Sequence, residues 1–226
     1  ALIAANWLNI KGKVLMVHHA ATKFGILLMT FEKILDRYLS NIIDVIICPS
    51  NATLKSIENH RFFNEESVRF KVIPNGVLNS IQNNIKNDDL FNGKKFEEKI
   101  NLAIIGRLEP YKGHEDLIHA ISILKSEIKS KINLYIIGKT NTSYYNDLKK
   151  IVQFHNLSES ITFTGYVDCD VNNFIYKFDL VISATRSFEG FGLTIAEALN
   201  FSVPVIATKV GAVPEIFDDD IIQLVN

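Results

Sequence analysis

The chain has 226 residues, a formal net charge of −1, and 47% hydrophobic against 22% charged residues. This balance is typical of a globular protein, and the near-zero charge gives no reason to expect a nucleic-acid partner. The two cysteines, Cys48 and Cys169, lack metal-like spacing. Unpaired cysteines favour a reducing compartment, so we expect a cytoplasmic protein. No apolar run approaches the roughly 20 residues that cross a membrane.

The first part of the chain alternates short apolar runs with helical patterns. Short continuous apolar runs indicate buried strands, and apolar residues that recur every three or four positions indicate helices. Ser50 or Asn51 can cap the second of two such helices. The predicted strands are 13–17, 44–48 and 68–73, the predicted helices are 24–39 and about 51–60, and a further helix is expected over 1–8.

A polar stretch over 79–99, rich in Asn, Lys and Asp, separates this part from a second region of the same kind. A shift of this type marks a domain boundary. We therefore predict one domain over 1–78, a linker over 79–99 and a second domain over 100–226. In the second domain the predicted strands are 101–105, 132–137, 160–163, 180–183 and 204–207, and the predicted helices are 113–129, 143–156, 171–176 and 193–200.

Strands that alternate with helices and read as continuous Val, Ile and Leu runs predict an α/β protein with parallel sheets. Ligands of such sheets bind at the carboxyl ends of the strands, and a cleft between two domains is a natural ligand site. The groups that follow the predicted strands are His18-His19, Pro49-Ser50, Pro74-Asn75-Gly76, Gly106-Arg107, Gly138-Lys139, Gly165-Tyr166 and the segment 187–199.

The segment 187–199 combines two carboxylates, two glycines and the start of a helix. Gly190 and Gly192 allow the backbone to approach a ligand or to adopt positive φ. The helix predicted to follow would present free N–H groups to a phosphate. Glu197 lies about one turn into that helix, where its carboxylate suits neutral hydroxyls such as those of a ribose. The alternative is a glycine turn that opens a helix flanked by Glu189 and Glu197 as solvated side chains.

A second constellation follows the first strand of the second domain. Arg107 and Lys112 flank a turn that contains Pro110 and precede a helix. A planar guanidinium fork and a compact ammonium together suit a diphosphate. Cations are slightly unfavourable at a helix N-terminus, so a bound anion explains them better than two surface cations do.

Taken together, four blocks resemble the retaining glycosyltransferases of family 4. The blocks are 72–77, 106–113, 189–197, and 204–207 with 211–215, and both their order and their spacing fit the family. The resemblance covers nearly the whole chain and implies a GT-B fold, in which two Rossmann-like domains face each other. It also implies that the chain lacks the front of its acceptor-side domain and its last helices, so we expect both ends to be cut.

The resemblance further implies roles for individual residues. Arg107 and Lys112, after Gly106, would neutralise the leaving diphosphate, and Glu189 would face the donor sugar. Glu197 would bind the ribose. The family's histidine near the reacting sugar matches His18, with His19 as the neighbour one register away. The remaining donor contacts implied are Tyr166 and Val167, which border the base, and the amides around Gly190, Phe191, Gly192, Leu193 and Thr194.

The implied reaction moves a sugar from a UDP- or GDP-sugar to a glycan or lipid-linked acceptor, with no metal and no cofactor. Polysaccharide biosynthesis and a peripheral membrane contact are further expectations of the resemblance. The alternatives are another GT-B enzyme, such as a sugar-nucleotide epimerase or phosphorylase, and a non-catalytic partner that keeps the fold.

Acidic clusters offer a competing interpretation. Asp168-Cys169-Asp170 has the Asp-x-Asp spacing of a divalent-ion site in transferases of another fold, but either aspartate can instead cap the helical turn predicted to follow. Asp218-Asp219-Asp220 is expected to be a solvated turn, and Asp88-Asp89 lies in the predicted linker.

Overall fold

The computed structural model describes residues 12–17, 26–64, 66–77 and 99–226, with the backbone alone for 26–30. These residues form two compact units. The first unit comprises the described residues up to Gly76 together with Phe188–Gly192 and Val210–Phe217. The second unit comprises the described residues from Val77 to Ser187 with Leu193–Lys209 and Asp218–Asn226.

The second unit is built on a parallel sheet whose strand order is β6-β5-β4-β7-β8-β9. The chain moves outward from β4 through β5 to β6, then returns to place β7 on the other side of β4. The strands are β4 (Ile100–Ile105), β5 (Ile132–Ile137), β6 (Ile161–Gly165), β7 (Leu180–Ser183), β8 (Val205–Thr208) and β9 (Gln223–Val225).

Helices cover this sheet. We label them α3 (His114–Ser122), α4 (Ser126–Lys129), α5 (Ser143–Phe154) and α6 (Leu193–Asn200). Every residue of β5 is buried, which explains its unbroken apolar sequence, because a parallel strand with helices on both faces has no solvated side. The core between β4, β5, α3 and α5 includes Ile104, Ile118, Leu134, Ile136 and Leu148.

The first unit contains a smaller parallel sheet in the order β1-β2-β3. Its strands are β1 (Val14–Met16), β2 (Val45–Cys48) and β3 (Arg69–Val72), and its helices are α1 (Ile26–Ser40), α2 (Asn51–His60) and the short α7 (Val213–Ile216). Asp36 on α1 is fully buried and pairs with Arg61, just beyond the end of α2. The same carboxylate accepts the Phe62 N–H at 3.0 Å, so the pair ties the two helices together.

The predicted helices and strands are largely confirmed, with two corrections. The helix predicted over 113–129 is wrong as a single element, because Lys125 adopts an extended ψ of 144° between α3 and α4. The Lys129 Nζ donates to the freed Ser122 carbonyl at 2.9 Å, which stabilises the break. The helix predicted over 171–176 is instead a pair of 3₁₀ turns, Val171–Asn173 and Ile175–Lys177. Strand β9 and helix α7 were not predicted.

Several expectations fall on residues outside those described. They include the helix over 1–8, His18 and His19, Asp88-Asp89 and nearly all of the 79–99 linker. The predicted domain boundaries therefore stay a prediction. Within the described part of the chain, no helix is both long and apolar enough to cross a membrane.

Candidate functional site

A cavity of about 390 Å³ lies at the carboxyl ends of β4, β5 and β6 in the second unit. Parallel strands bring their carboxyl ends to one edge, so three loops that are distant in sequence meet there. Its walls are mostly apolar, with Ile105, Ile137 and Phe174 among them. Four predicted site residues also line the cavity, namely Gly106, Arg107, Tyr166 and Val167. Lys139 and Cys169 line it as well, although neither was predicted as a site residue.

Tyr111 connects the two cations that the sequence singled out. Arg107 Nη2 donates to the Tyr111 hydroxyl at 2.7 Å, and the Lys112 Nζ lies 5.5 Å from the centroid of the Tyr111 ring. A neutral aromatic ring that contacts both cations holds them near each other. Two cations on one loop at the carboxyl end of β4 suit an anionic ligand.

The loop that carries these cations is pressed against the end of β7. Gly113 has a positive φ of 73°, and a Cβ at this position would lie 1.8 Å from the Ala184 carbonyl oxygen. The Arg186 N–H donates to the Tyr111 carbonyl at 2.7 Å. The Arg186 side chain also pairs with Asp116 on α3, at 2.5 and 2.6 Å. These contacts lie between β4 and β7, where the strand order reverses, which is the position at which open α/β sheets bind ligands.

Glu197 lies in the second turn of α6, where the sequence placed it. Burial raises the pKa of its carboxyl, and the charge of Asp170 raises it further. The α6 helix contacts the turn Val171–Asn173, which follows Cys169 at the cavity. Asp170 itself caps the following turn by accepting the Asn172 N–H at 3.0 Å, which confirms the predicted capping role.

The acidic end of the chain forms the expected exposed turn. Asp218 accepts the N–H groups of Asp220 and Ile221, each at 3.2 Å, and Asp219 pairs with Lys209 at 3.4 Å. All three aspartates are exposed.

The residues from Glu189 to Gly192 belong to the first unit. Gly192 has the positive φ that the sequence allowed, 89°, whereas the Gly190 φ is not positive. The Gly190 carbonyl accepts hydrogen bonds from Ser50 Oγ at 2.7 Å and Thr53 Oγ1 at 3.2 Å. The side chain of Phe191 is buried and packs edge to face on Phe217, with centroids 6.5 Å apart.

The predicted site residues thus divide between the two units. Gly106, Arg107, Tyr166 and Val167 line one cavity, and Lys112 joins them through Tyr111. In the second unit, α6 carries Leu193, Thr194 and Glu197, while 189–192 belong to the first unit. The roles assigned to these residues stay predictions.

Sequence reasoning missed the contributions of Tyr111, Lys139, Ser50 and Thr53. The Lys139 Nζ lies 5.4 Å from the centroid of the Tyr166 ring at the cavity. The sequence did carry a signal for Lys139, because it directly follows Gly138 at the carboxyl end of a predicted strand, where ligands of parallel sheets bind. No sequence signal linked Ser50 or Thr53 to Gly190, since these contacts join residues 140 and 137 positions apart.

Comparison with known proteins decides the family. The family model described as glycosyl transferases group 1 matches residues 85–225. The chain belongs to this family. Among curated relatives, the phosphatidylinositol N-acetylglucosaminyltransferase GPI3 subunit of Saccharomyces cerevisiae is 26% identical over 193 residues, 84% of this chain and 40% of that protein. The O-antigen biosynthesis glycosyltransferase WclY of Escherichia coli is 26% identical over 148 residues, 65% of this chain and 41% of that protein.

Solved structures share the fold of this chain. The Anabaena protein HepE, crystallised with UDP and glucose, superposes with a TM-score of 0.77 at 20% sequence identity. The match covers 100% of this chain and 60% of the HepE chain. These likenesses confirm the expected GT-B type of α/β fold. The chain spans about two fifths of the length of the curated relatives named above.

Proposed function

We propose that this chain is the donor-side part of a retaining glycosyltransferase that takes its sugar from a UDP- or GDP-sugar. The observation that carries the proposal is the cavity beside Arg107, with Lys112 held to the same tyrosine. An apolar cavity suits a nucleobase, and the cations beside it suit the diphosphate. The relatives support a sugar-nucleotide donor, since HepE was crystallised with UDP and glucose.

The chemistry asked of these residues is charge stabilisation. When the bond between the anomeric carbon and the phosphate breaks, negative charge grows on the departing diphosphate. In this proposal Arg107 and Lys112, which both contact Tyr111, stabilise this charge. In this proposal Glu197 binds the ribose, Glu189 faces the donor sugar, and no metal or cofactor is required.

A front-face attack, assisted by the leaving phosphate, is the route we propose for retention of anomeric configuration. Such a route needs no covalent enzyme nucleophile, so Glu189 is not given that role. The amides from Gly190 to Thr194 contact the sugar and the phosphates.

For the acceptor we propose a glycan or a lipid-linked molecule. The names of two relatives favour this class, one a phosphatidylinositol N-acetylglucosaminyltransferase subunit and the other an O-antigen biosynthesis glycosyltransferase. Polysaccharide biosynthesis in the cytoplasm, with peripheral contact to a membrane that holds the acceptor, follows as part of the same proposal. No partner nucleic acid is proposed.

The decisive test replaces both cations in the complete protein. Arg107→Ala with Lys112→Ala should lower the rate of sugar transfer by roughly 10³-fold or more, because each lost donor to a developing oxyanion costs about 10²–10³. Lys149→Ala with Lys150→Ala is the matched control, since it removes the same charge from α5. A thermal-shift screen with UDP- and GDP-sugars identifies the donor beforehand.

Product analysis separates the alternative functions. A transferase releases nucleoside diphosphate as acceptor is glycosylated, an epimerase yields an isomeric nucleotide-sugar with no net release of nucleoside diphosphate, and a phosphorylase consumes inorganic phosphate. Unchanged transfer by the double variant, or absence of nucleotide binding in the unmodified protein, overturns the proposal.

A further inference from the structure

Two buried hydroxyls at the start of α2 hold the backbone of the Glu189–Gly192 loop. Ser50 and Thr53 are 1% and 0% exposed, and their hydroxyls donate to the Gly190 carbonyl at 2.7 and 3.2 Å. Both contacts lie inside the first unit. A carbonyl that receives two hydrogen bonds from side chains on a helix is fixed in direction by that helix.

Glu215 fixes the same helix end from another segment of the chain. Its carboxylate accepts the Asn51 N–H at 2.8 Å, the Asn51 side-chain amide at 2.9 Å and the Ala52 N–H at 2.9 Å. Ser50 Oγ accepts the Thr53 N–H at 3.0 Å. The first three amides of α2, which no helix can satisfy internally, therefore all have acceptors.

The segment that carries Glu215 also holds the loop directly. The Ala212 N–H donates to the Glu189 carbonyl at 2.8 Å. Gly211 lies so close that a Cβ there would be 2.3 Å from the same carbonyl oxygen. The carbonyls of Glu189 and Gly190 are thus held by two different segments.

The direction of the Gly190 carbonyl decides where the next amide points. In a planar trans peptide the C=O and the N–H lie on opposite sides. Because the carbonyl of Gly190 points at Ser50 and Thr53, the N–H of Phe191 points away from α2. The proposed function assigns that amide to the donor.

We propose that Thr53 and Ser50 are positioning residues that orient the donor-side loop through the Gly190 carbonyl, with Glu215 fixing the helix from which they act. This role rests on the proposed function, because it assumes that the loop contacts the donor sugar and phosphates. None of the three needs to touch the donor itself. They set the angle at which the Phe191 amide is presented.

Thr53 provides the sharpest test. Thr53→Val keeps the shape and removes the hydroxyl, whereas Thr53→Ser keeps the hydroxyl and removes a methyl group. Ser50 is less selective, since Ser50→Ala also removes the helix cap. We expect Thr53→Val to lower kcat/KM for the nucleotide-sugar roughly 3- to 10-fold, the usual effect of one lost hydrogen bond, and Ser50→Ala with Thr53→Val to lower it further.

Two measurements distinguish positioning from general damage. Binding of UMP or GMP, measured by calorimetry, should be unchanged in Thr53→Val, because the cavity of the second unit is untouched. Amide hydrogen exchange of the peptide covering 188–192 should be faster in Thr53→Val and near the wild-type rate in Thr53→Ser.

Equal exchange in all three proteins, or an equal loss of kcat/KM in the Val and Ser variants, overturns the positioning role. Faster exchange in Thr53→Val with a wild-type kcat/KM for the nucleotide-sugar would show that Thr53 orders the loop without affecting use of the donor. That result also overturns the positioning role. If the wild type turns over no nucleotide-sugar at all, the proposed function fails. The exchange comparison then still decides whether Thr53 holds the loop.

Discussion

The loop after β4 and the loop after β7 are held in different ways, although both are assigned to the donor. The 106–113 loop is fixed inside the second unit, by the hydrogen bond from the Arg186 N–H to the Tyr111 carbonyl and by contact of Gly113 with Ala184. The 188–192 loop is fixed inside the first unit, by hydroxyls on α2 and by the segment that carries Gly211. One loop therefore depends on the larger sheet and the other on the smaller one.

Because the two loops are held by different units, a substitution that loosens one of them should leave the other unchanged. The second unit has an extensive core behind its loop, with β5 buried along its whole length. In the part of the first unit that the structure describes, β1 and β3 are partly exposed, and the core is a cluster around Ile46, Cys48 and Ile57. A loop held against a small core depends more on individual hydrogen bonds.

The largest effects are expected from alanine at the two packed glycines. A Cβ would lie 1.8 Å from the Ala184 oxygen at Gly113, and 2.3 Å from the Glu189 oxygen at Gly211, and both residues have positive φ. Each substitution should lower the free energy of unfolding of its own unit by about 3 kcal/mol or more. Hydrogen exchange should show Gly113→Ala loosening 106–113 and Gly211→Ala loosening 188–192.

Gly165→Ala is the control, because φ is also positive there but the nearest atom is 4.0 Å from the added Cβ. Only the conformational cost of about 1–2 kcal/mol remains in that variant. Loosening of both loops to the same extent by either substitution would show that the loops are not held separately.

Acid should destabilise the second unit at the end of its 106–113 loop. His114 follows Gly113 and is 1% exposed. Burial lowers the pKa of its imidazole to about 4, with a further contribution from the charge of Lys112. The unfolded chain binds a proton below its ordinary pKa of 6.5 while the folded chain does not, so stability falls as the pH drops from 6.5 towards 4. The loss is on the order of 3 kcal/mol.

His114→Phe should remove this pH dependence while leaving the fold intact at pH 7.5. Urea unfolding of both proteins at pH 7.5, 6 and 5 provides the measurement. As the pH falls, the free energy of unfolding of the wild type should decrease relative to that of His114→Phe, and parallel curves would contradict the assignment. The hydroxyls and backbone groups that hold Gly190 do not titrate in this range.

The smallest change in stability is expected at Glu197, on the helix that follows the 188–192 loop. Burial raises the pKa of the Glu197 carboxyl, and the negative charge of Asp170 raises it further. The folded state therefore holds the proton more tightly, and ionisation of Glu197 reduces stability once the pH rises above the ordinary value of 4.5. Glu197→Gln should raise Tm at pH 7 and lose this advantage below pH 4.5.

The same substitution should weaken binding of the nucleotide-sugar, because the carboxylate assigned to the ribose is lost. A higher Tm with unchanged donor affinity would remove Glu197 from the site. Glu197→Asp is the control, since it keeps the charge but shortens the side chain.

Local patterns predicted much of the fold. The α6 helix begins at Leu193 and ends at Asn200 as expected, and Ser50 caps α2. The helix predicted over 113–129 failed at a local contact that apolar spacing does not report. The Lys129 Nζ donates to the Ser122 carbonyl seven residues earlier and stabilises the break before α4.

The sequence by itself determined the parallel α/β class and the glycine-rich strand ends, because buried strands and turns leave signals within a few residues. It also marked Arg107 and Lys112 as partners for an anion. Only the tertiary structure decided that β7 returns beside β4 and that Ser50 and Thr53 hold Gly190. These pairings depend on which strands lie side by side and on which segments pack together, and the energies that decide this come from contacts between residues far apart in the chain.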